Sequence, residues 1–382
     1  MKYWRGYLVA AIFAACTWGL QQFAATHSTL LDMVYPYVTR LMQDYLSGWS
    51  AAADFCIWQA ALLVFVAVVL ASAVLMIVFR WNPIQWFGWV LAAASVVLLL
   101  NTGIYGLNEY AGSISDDIRL EEVDYSVNQL QDAAIYYQEQ ANALAAQVQR
   151  DGSGNVCYPG FAELNAMADS GFRSLTYNSH FSVFAGDNSP VKQLQMPETF
   201  MPAGQMGLFV PITGEASVDP RIPDVCMPFA ISQQLSLRRA ITQVRDSYFA
   251  AFLSCTANES AEYQYTGYLM AYIYCCNELE GLSGSSVDTV LAQLSSTESA
   301  GVKHDKALYH DFFGSYTEAD ENNVCDLLVS WHIQTVVLPE QMEEEVIFDP
   351  TDENQVDMTG LPNVVVPEAT VEADAEETTE EA

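Results

Sequence analysis

Histidine is the side chain best suited to hold a metal ion or to act as a general base near neutral pH, and the sequence contains five histidines. The zinc-peptidase motif H-E-x-x-H would place two of them four residues apart, on one face of a helix. No such motif occurs, and His304 and His310 are six residues apart, off a shared helical face. We therefore predict surface or capping roles for His304 and His310. The five histidines are His27, His180, His304, His310 and His332.

A serine or cysteine nucleophile would need a base beside it. Ser254 with Cys255 is one candidate, and Ser283 with Ser285 is another, but nothing in the sequence ties a histidine to either. The sequence also lacks a glycine-rich phosphate loop and a nucleotide-binding fingerprint. We predict no cofactor and no bound metal.

Six of the eight cysteines follow the last apolar segment of the chain. An even number of cysteines in an oxidising compartment permits disulfides, and buried free thiols are the alternative. The lack of any C-x-x-C spacing argues against a zinc site built from them. The six are Cys157, Cys226, Cys255, Cys275, Cys276 and Cys325.

The charge of the chain is unevenly distributed along its 382 residues. Residues 1–108 carry four basic and three acidic side chains, whereas residues 109–382 carry 10 basic and 44 acidic ones. The net charge of −33 argues against nucleic acid as a partner. An almost uncharged first part joined to a strongly acidic second part is typical of a membrane anchor followed by a water-facing domain.

Three apolar stretches fit the length of a membrane-spanning helix, at about residues 7–23, 55–79 and 84–107. The first stretch could instead be a cleaved signal peptide, but no A-x-A cleavage site follows it. By the positive-inside rule, Lys2, Arg5 and Arg80 predict that the N-terminus is in the cytoplasm and that residues 109–382, an outer domain over 109–339 and its tail, are outside. Between the first two stretches, residues 30–46 have the apolar spacing of an amphipathic helix, which lies either at the outer membrane interface or packed on the helix bundle.

We predict that the outer domain, residues 109–339, is mainly helical. Ser126 and Gln129 form a capping box at the start of one helix, and we predict further helices from Pro228 to about Leu253 and over residues 263–279. Residues 206–215 alternate in polarity and end in a Thr-Gly turn, which predicts a short edge strand and a bend. Residues 340–382 contain fifteen acidic side chains and no basic ones, so we expect a disordered acidic tail.

Several of these segments, in this order, resemble a bacterial family of membrane proteins known as domain of unknown function 3810. The matching pieces are residues 35–40, 106–110, 125–127 and 265–269, and the most specific one is a G-x-x-x-P-x-T-G-E-A-x-V run followed by Pro-Phe. That run corresponds here to Gly207, Pro211, Thr213, Gly214, Glu215, Ala216, Val218, Pro228 and Phe229. The resemblance implies a zincin-like, membrane-anchored zinc metallopeptidase fold in the bacterial cytoplasmic membrane.

The resemblance also implies where a zinc site would be. In the family, Pro-Phe is followed by H-E-x-x-H, and an acidic residue on the following turns completes the ligand set. Here Gln233, Gln234 and Leu237 replace the two histidines and the glutamate, and Asp246 is the remnant of the acidic position. A neutral amide is a weak zinc ligand and cannot take a proton from water, and leucine offers no donor at all.

We therefore interpret the chain as a pseudopeptidase, which is not an enzyme but binds a peptide, an envelope component or a partner protein without cutting it. Gln233, Gln234 and Asp246 would line the cleft floor, and an extended peptide would align on the strand. An envelope scaffold without a ligand cleft is the first alternative, and an active metallopeptidase or hydrolase with relocated catalytic residues is the second. The strand residues are Gly207, Phe209, Pro211, Thr213 and Glu215.

Overall fold

The computed structural model describes residues 4–339, apart from residues 159, 187–188, 202–203, 283–284 and 315–323. Within these limits the chain is mainly α-helical, as predicted, with one small sheet. The expected acidic tail over residues 340–382 and the candidate nucleophile Ser283 lie outside the described residues.

Helix α1 (Arg5–Thr26), α3 (Ile57–Val78) and α4 (Pro83–Ile104) are long and apolar enough to span a membrane, close to the predicted positions. Helix α1 packs along α4, and a Cβ on Gly6 would lie 2.4 Å from the carbonyl carbon of Gly88. Small residues therefore let the two backbones touch. Helix α3 contacts α4 less extensively, and Trp86 Nε1 donates to Ser72 Oγ (3.0 Å) between them.

Between α1 and α3 lies α2 (Ser28–Ser50), which packs against a short 3₁₀ turn at Gly106–Tyr110 that follows α4. The outer part of the chain then forms the remaining helices. They are α5 (Ile114–Ile118), α6 (Val127–Ala145), α7 (Phe161–Arg173), α8 (Pro197–Phe200), α9 (Met227–Arg238), α10 (Val244–Thr256), α11 (Ala261–Gly281), α12 (Ser285–Thr297), α13 (Ala300–Phe313) and α14 (Cys325–His332).

The core of the outer part lies where α6, α9, α10 and α11 pack together. The predicted capping box is confirmed, because Ser126 Oγ accepts from Gln129 N and Gln129 Oε1 accepts from Ser126 N. The predicted helix over residues 263–279 is confirmed as α11. Tyr137 of α6 is fully buried and donates to the carbonyl of Leu328 (2.7 Å), which fixes α14 on the core.

A three-stranded sheet contains β1 (Lys192–Gln193), β2 (Gly207–Val210) and β3 (Glu215–Val218) in the order β1-β3-β2. Strand β3 is central, pairing in parallel with β1 and antiparallel with β2. The predicted edge strand corresponds to β2, but β2 ends at Val210, before the end of the predicted segment over residues 206–215. Pro211 brings no N–H to a ladder, and Gly214 has a φ of +66°, so residues 211–214 form the turn into β3.

The prediction of one helix from Pro228 to about Leu253 is wrong. Helix α9 ends at Arg238, and α10 begins at Val244. Ala240 has a φ of +67° and Ile241 N donates to Ser236 O (3.3 Å), which is a Schellman-type helix end. Glycine normally occupies the left-handed position of such an end, so an alanine there gave no signal in the sequence.

Candidate functional site

Helix α9 carries the positions that the sequence assigns to a degenerate zinc site. Gln233 and Gln234 are 8 % and 1 % exposed, and Gln234 Nε2 donates to Gln233 Oε1 (3.1 Å). Within the described chain, Gln234 Oε1 has no hydrogen-bond partner. Leu237 is half-buried, and its carbonyl accepts from Tyr105 Oη (2.6 Å) at the end of α4. The structure thus places all three positions on one buried helix next to the membrane anchor.

Strand β2 lies directly against this helix. A Cβ on Gly207 would lie 2.7 Å from Gln234 Cγ and 2.5 Å from the carbonyl oxygen of Ser217, so only glycine fits there. The ring of Phe209 packs on Tyr105, with centroids 5.1 Å apart. Leu208 and Val210 point to the other side of the sheet and pack on a small cluster that includes Cys56 and Trp58 at the start of α3. The strand is therefore held between α9 and the ends of two anchor helices.

The outer edge of β2 has no backbone pairing with another described residue, although Gly207 is buried and Phe209 is half-buried. Asp219 N donates to Met206 O (2.9 Å), and the register pairs Gly207 with Val218 and Phe209 with Ala216. Because hydrogen-bonded pairs alternate along an antiparallel ladder, the N–H and C=O groups of Gly207 and Phe209 point away from β3. No hydrogen bond joins them to another described residue.

The turn residues and Glu215 do not join this edge. Thr213 folds back onto the carbonyl of Val210 through its N–H (3.2 Å) and its hydroxyl (3.3 Å). Gly214 approaches α2 so closely that a Cβ would lie 2.6 Å from Ser47 N. Glu215 is 1 % exposed, and its two carboxylate oxygens accept from Ile57 N and Trp58 N, both at 2.8 Å.

Glu215 also pairs with Lys192 of β1, whose Nζ lies 2.7 Å from Glu215 Oε1. Lys192 Nζ further donates to the carbonyls of Ser50 and Phe55, both at 2.9 Å. We call this set the anchor junction: Ser50, Phe55, Ile57, Trp58, Lys192 and Glu215. It fixes the connection between α2 and α3 to the sheet, and a carboxylate at a helix N-terminus is electrostatically favoured there. Sequence reasoning missed the role of Lys192, because its partners lie far away along the chain.

Asp246 also holds a helix N-terminus. Its carboxylate accepts from Ile114 N (2.8 Å) and Ser113 Oγ (3.2 Å) at the start of α5. Burial raises the pKa of Asp246 above its ordinary value, although the Ile114 N–H and Arg245 oppose the shift. Asp246 lines a small cleft of about 30 Å³ together with Arg40 and Arg239, and this cleft does not include Gln233, Gln234 or Leu237. Asp246 thus has its hydrogen bonds with the start of α5 rather than with any of the three α9 positions.

The donors on α9 do not fit a zinc ion. Two amides and an aliphatic side chain offer no imidazole and no carboxylate, and α10 uses its acidic residue elsewhere. Among the described residues, no group of three or more His, Cys, Asp or Glu side chains could hold a metal ion. His304 Nε2 lies 2.9 Å from Asn155 Oδ1, and the ring of His332 packs on Tyr136 with centroids 5.0 Å apart.

The candidate nucleophiles on α10 are buried. Cys255 Sγ donates to Ser232 Oγ (3.4 Å), and burial raises the pKa of the thiol to about 12, which keeps it protonated and weakly nucleophilic. Ser254 Oγ is buried without a partner in the described chain, so no described base activates it. None of the eight cysteines is in a disulfide, and of the six outer ones all but the exposed Cys157 are buried, which agrees with the second of the two alternatives that the sequence left open.

Comparison with known families matches residues 31–328 to a family described as "Protein of unknown function (DUF3810)". The chain belongs to the DUF3810 family. The match begins in α2 and ends in α14, so the family unit contains both the anchor junction and the α9–β2 pair of this DUF3810 protein. No curated protein and no solved structure matches the chain.

Proposed function

We propose that this DUF3810 protein is a membrane-anchored, catalytically inactive relative of zinc metallopeptidases that binds an extended peptide on the edge of β2. One observation carries the proposal. The N–H and C=O groups of Gly207 and Phe209 point away from β3, beside the helix on which Gln233 replaces a metal-ligating histidine and Gln234 replaces the catalytic glutamate.

The binding mode follows from the backbone. An extended peptide that lies beside β2 can exchange hydrogen bonds with Gly207 and Phe209, as in strand addition to an exposed sheet edge. The side chains of the peptide would then alternate between the α9 side and the side facing Trp58. The amides on α9 can donate and accept hydrogen bonds, so they suit recognition of a peptide backbone without cleavage.

The donor chemistry supports the inactive part of the proposal. Cleavage by a zinc peptidase requires a metal-bound water and a base that takes its proton. Gln234 cannot act as that base, and Leu237 cannot ligate a metal. An active metallopeptidase or hydrolase would need catalytic residues from elsewhere in the chain.

A structural envelope scaffold is the second candidate function, and the anchor junction favours it. Glu215 and Asp246 both serve helix N-termini, and the side chain of Gln234 packs against Gly207 without a gap. Under this alternative the former cleft has closed, and the edge of β2 binds nothing.

The first test uses the full-length protein in lipid nanodiscs, with zinc content, casein cleavage and binding of a fluorescent library of extended peptides as readouts. The proposal expects less than stoichiometric zinc, no cleavage that responds to chelators, and saturable peptide binding. Stoichiometric zinc with chelator-sensitive cleavage would overturn the inactive part. A library in which no peptide binds would favour the scaffold.

Paired variants at Phe209 test the binding mode. Phe209→Ala and Phe209→Pro both remove the ring, but only proline also removes the outward N–H. We expect Phe209→Pro to weaken peptide binding about tenfold relative to Phe209→Ala. Equal binding by the two variants would contradict strand addition at β2.

We also infer that the N-terminus lies in the bacterial cytoplasm and the outer domain outside. Lys2, Arg5 and Arg80 support this orientation by the positive-inside rule. Cys157 is exposed in the outer domain and so reports on orientation. A membrane-impermeant maleimide added to intact cells should label Cys157, and loss of this label in Cys157→Ser is the control. Labelling only after lysis would reverse the orientation.

A further inference from the structure

Helix α2 has its polarity reversed relative to an ordinary surface helix. The side that it buries is mostly polar, with Thr39 and Gln43 fully buried and Ser47 and Ser50 nearly so. The opposite side exposes nine large apolar or aromatic residues. These nine define what we call the outer face of α2: Leu30, Met33, Val34, Tyr37, Val38, Leu41, Met42, Tyr45 and Trp49.

The contacts of the polar side fix the rotation of the helix. Thr39 Oγ1 accepts from Asn108 Nδ2 (3.1 Å), and Arg40 Nη1 donates to the carbonyl of Val183 (3.1 Å). Asp32 accepts from Gly112 N (2.8 Å). Turning the outer face inward would break these hydrogen bonds, so the exposure of nine apolar residues is a property of the fold.

Both ends of α2 lie at the ends of spanning helices. Helix α2 begins two residues after α1 ends at Thr26, and the anchor junction ties its last residue, Ser50, to the start of α3. Near its N-terminal end, Tyr35 Oη donates to the carbonyl of Gly103 (2.9 Å) close to the end of α4. The ends of α1 and α4 and the start of α3 therefore share one side of the membrane. A helix of 23 residues that returns to this level at both ends must run along the membrane surface.

We propose that the outer face of α2 is a lipid-binding surface that lies in the boundary between headgroups and acyl chains, on the membrane side that carries the outer domain. The occupant is lipid because the flanking spans hold the face at the bilayer, and because Tyr37, Tyr45 and Trp49 are residues that favour that boundary. No residue of the outer face is charged, and the chain as a whole is strongly acidic. Binding therefore rests on apolar area and requires no anionic lipid.

The outer face of α2 does not depend on the proposed peptide site, but it determines where that site lies relative to the membrane. The buried side of α2 packs against α9 and β3, which sets the α9–β2 pair at the membrane surface. Lipid binding by α2 can therefore be correct whether or not β2 binds a peptide.

The test places an environment-sensitive NBD label at Met33→Cys or Tyr45→Cys in a variant that lacks Cys16 and Cys157, the two exposed native thiols. The full-length protein is reconstituted in phosphatidylcholine nanodiscs that contain doxyl-labelled lipid. Glu163→Cys, on an exposed position of α7, is the matched control. We expect shallow doxyl lipid to quench the two α2 labels at least about threefold more than the control, with little change when anionic lipid is added.

Two outcomes would overturn the proposal. Labels that iodide quenches as readily as the control would place α2 in water. Labels shielded from both iodide and doxyl lipid would instead indicate a second copy or a protein partner on the outer face. As a check without substitutions, a photoreactive lipid should label residues 28–50 of the unmodified chain, and labelling confined to α1, α3 and α4 would contradict the proposal.

Discussion

Glu215 and Gln234 occupy opposite kinds of environment, although the sequence assigns both to one cleft. At the anchor junction, Glu215 has both carboxylate oxygens satisfied by N–H groups of α3 and by Lys192. On α9, the buried amide of Gln234 has an oxygen without a partner in the described residues. Both side chains are almost fully buried, so the difference lies in how their polar atoms are satisfied. Glu215 therefore serves to attach the sheet to the anchor, whereas the amide of Gln234 keeps one polar atom that no described residue satisfies.

Among the changes proposed here for stability, breaking the buried ion pair between Lys192 and Glu215 should lower the free energy of unfolding the most. Glu215→Gln leaves one acceptor for two N–H groups and leaves Lys192 without its counter-charge. Removing one partner of a buried pair typically costs about 3–5 kcal/mol. We expect a loss of that size in urea unfolding of the full-length protein in detergent, followed by helical ellipticity.

The exposed pair between Arg221 and Glu198 is the control for this prediction, since its two side chains are 40 % and 72 % exposed. Glu198→Gln should change the free energy of unfolding by about 1 kcal/mol or less. If Glu215→Gln were equally mild, Glu215 would not hold the junction, and the contrast with Gln234 would disappear.

The carboxylate that the sequence assigned to the cleft floor, Asp246, should show its burial in the pH dependence of stability. Because its folded pKa is raised, the folded state binds more protons than the unfolded state, and the stability that Asp246 contributes falls as pH rises through that pKa. Asp246→Asn should therefore cost about 1–2 kcal/mol near pH 5, and less near pH 7.5. Urea unfolding of both proteins across this range measures the difference, and a cost that grows with pH would contradict the assignment.

The turn at residues 211–214, which leads into Glu215 of the anchor junction, offers a steric test. Gly214→Ala would place a methyl group 2.6 Å from Ser47 N at a φ of +66°, so both strain and overlap with α2 oppose it. We expect a destabilisation of about 1–2 kcal/mol in the same unfolding assay. Gly152→Ala is the control, because nothing lies within 4 Å of its new methyl group, and it should be nearly neutral.

The sequence was sufficient for features set by local composition and much less so for those set by distant contacts. The three helices that are long and apolar enough to span a membrane follow from apolar length, and the capping box at Ser126 follows from residues three apart. At the break after Arg238, in contrast, Arg239 is buried against Phe172 and donates to the carbonyl of Phe184. No periodicity in α9 and α10 could indicate that contact.

The candidate site shows the same limit. The resemblance predicted a strand beside the cleft that holds Gln233 and Gln234, and the structure brings Gln234 against Gly207 of β2. It could not show that Glu215 turns toward α3 or that Asp246 turns toward α5, since Lys192, Ile57 and Ile114 are distant in sequence.

The smallest effect sharpens the comparison most, because it tests whether the amides on α9 are structural. Gln234→Met removes a buried oxygen without a partner in the described residues but also the hydrogen bond from Gln234 Nε2 to Gln233 Oε1 (3.1 Å), and it keeps a similar volume. Because the gain and the loss offset each other, the free energy of unfolding should change by less than about 1 kcal/mol, in either direction. Gln138→Met is the matched control. That equally buried amide donates to Tyr272 Oη (3.2 Å) and Leu294 O (2.6 Å) and accepts from Thr297 Oγ1 (2.8 Å), so its loss should cost about 2 kcal/mol or more. A loss at Gln234 as large as that at Gln138 would mean that the α9 amide is part of the scaffold, and it would remove the reason to regard it as a position kept for a ligand.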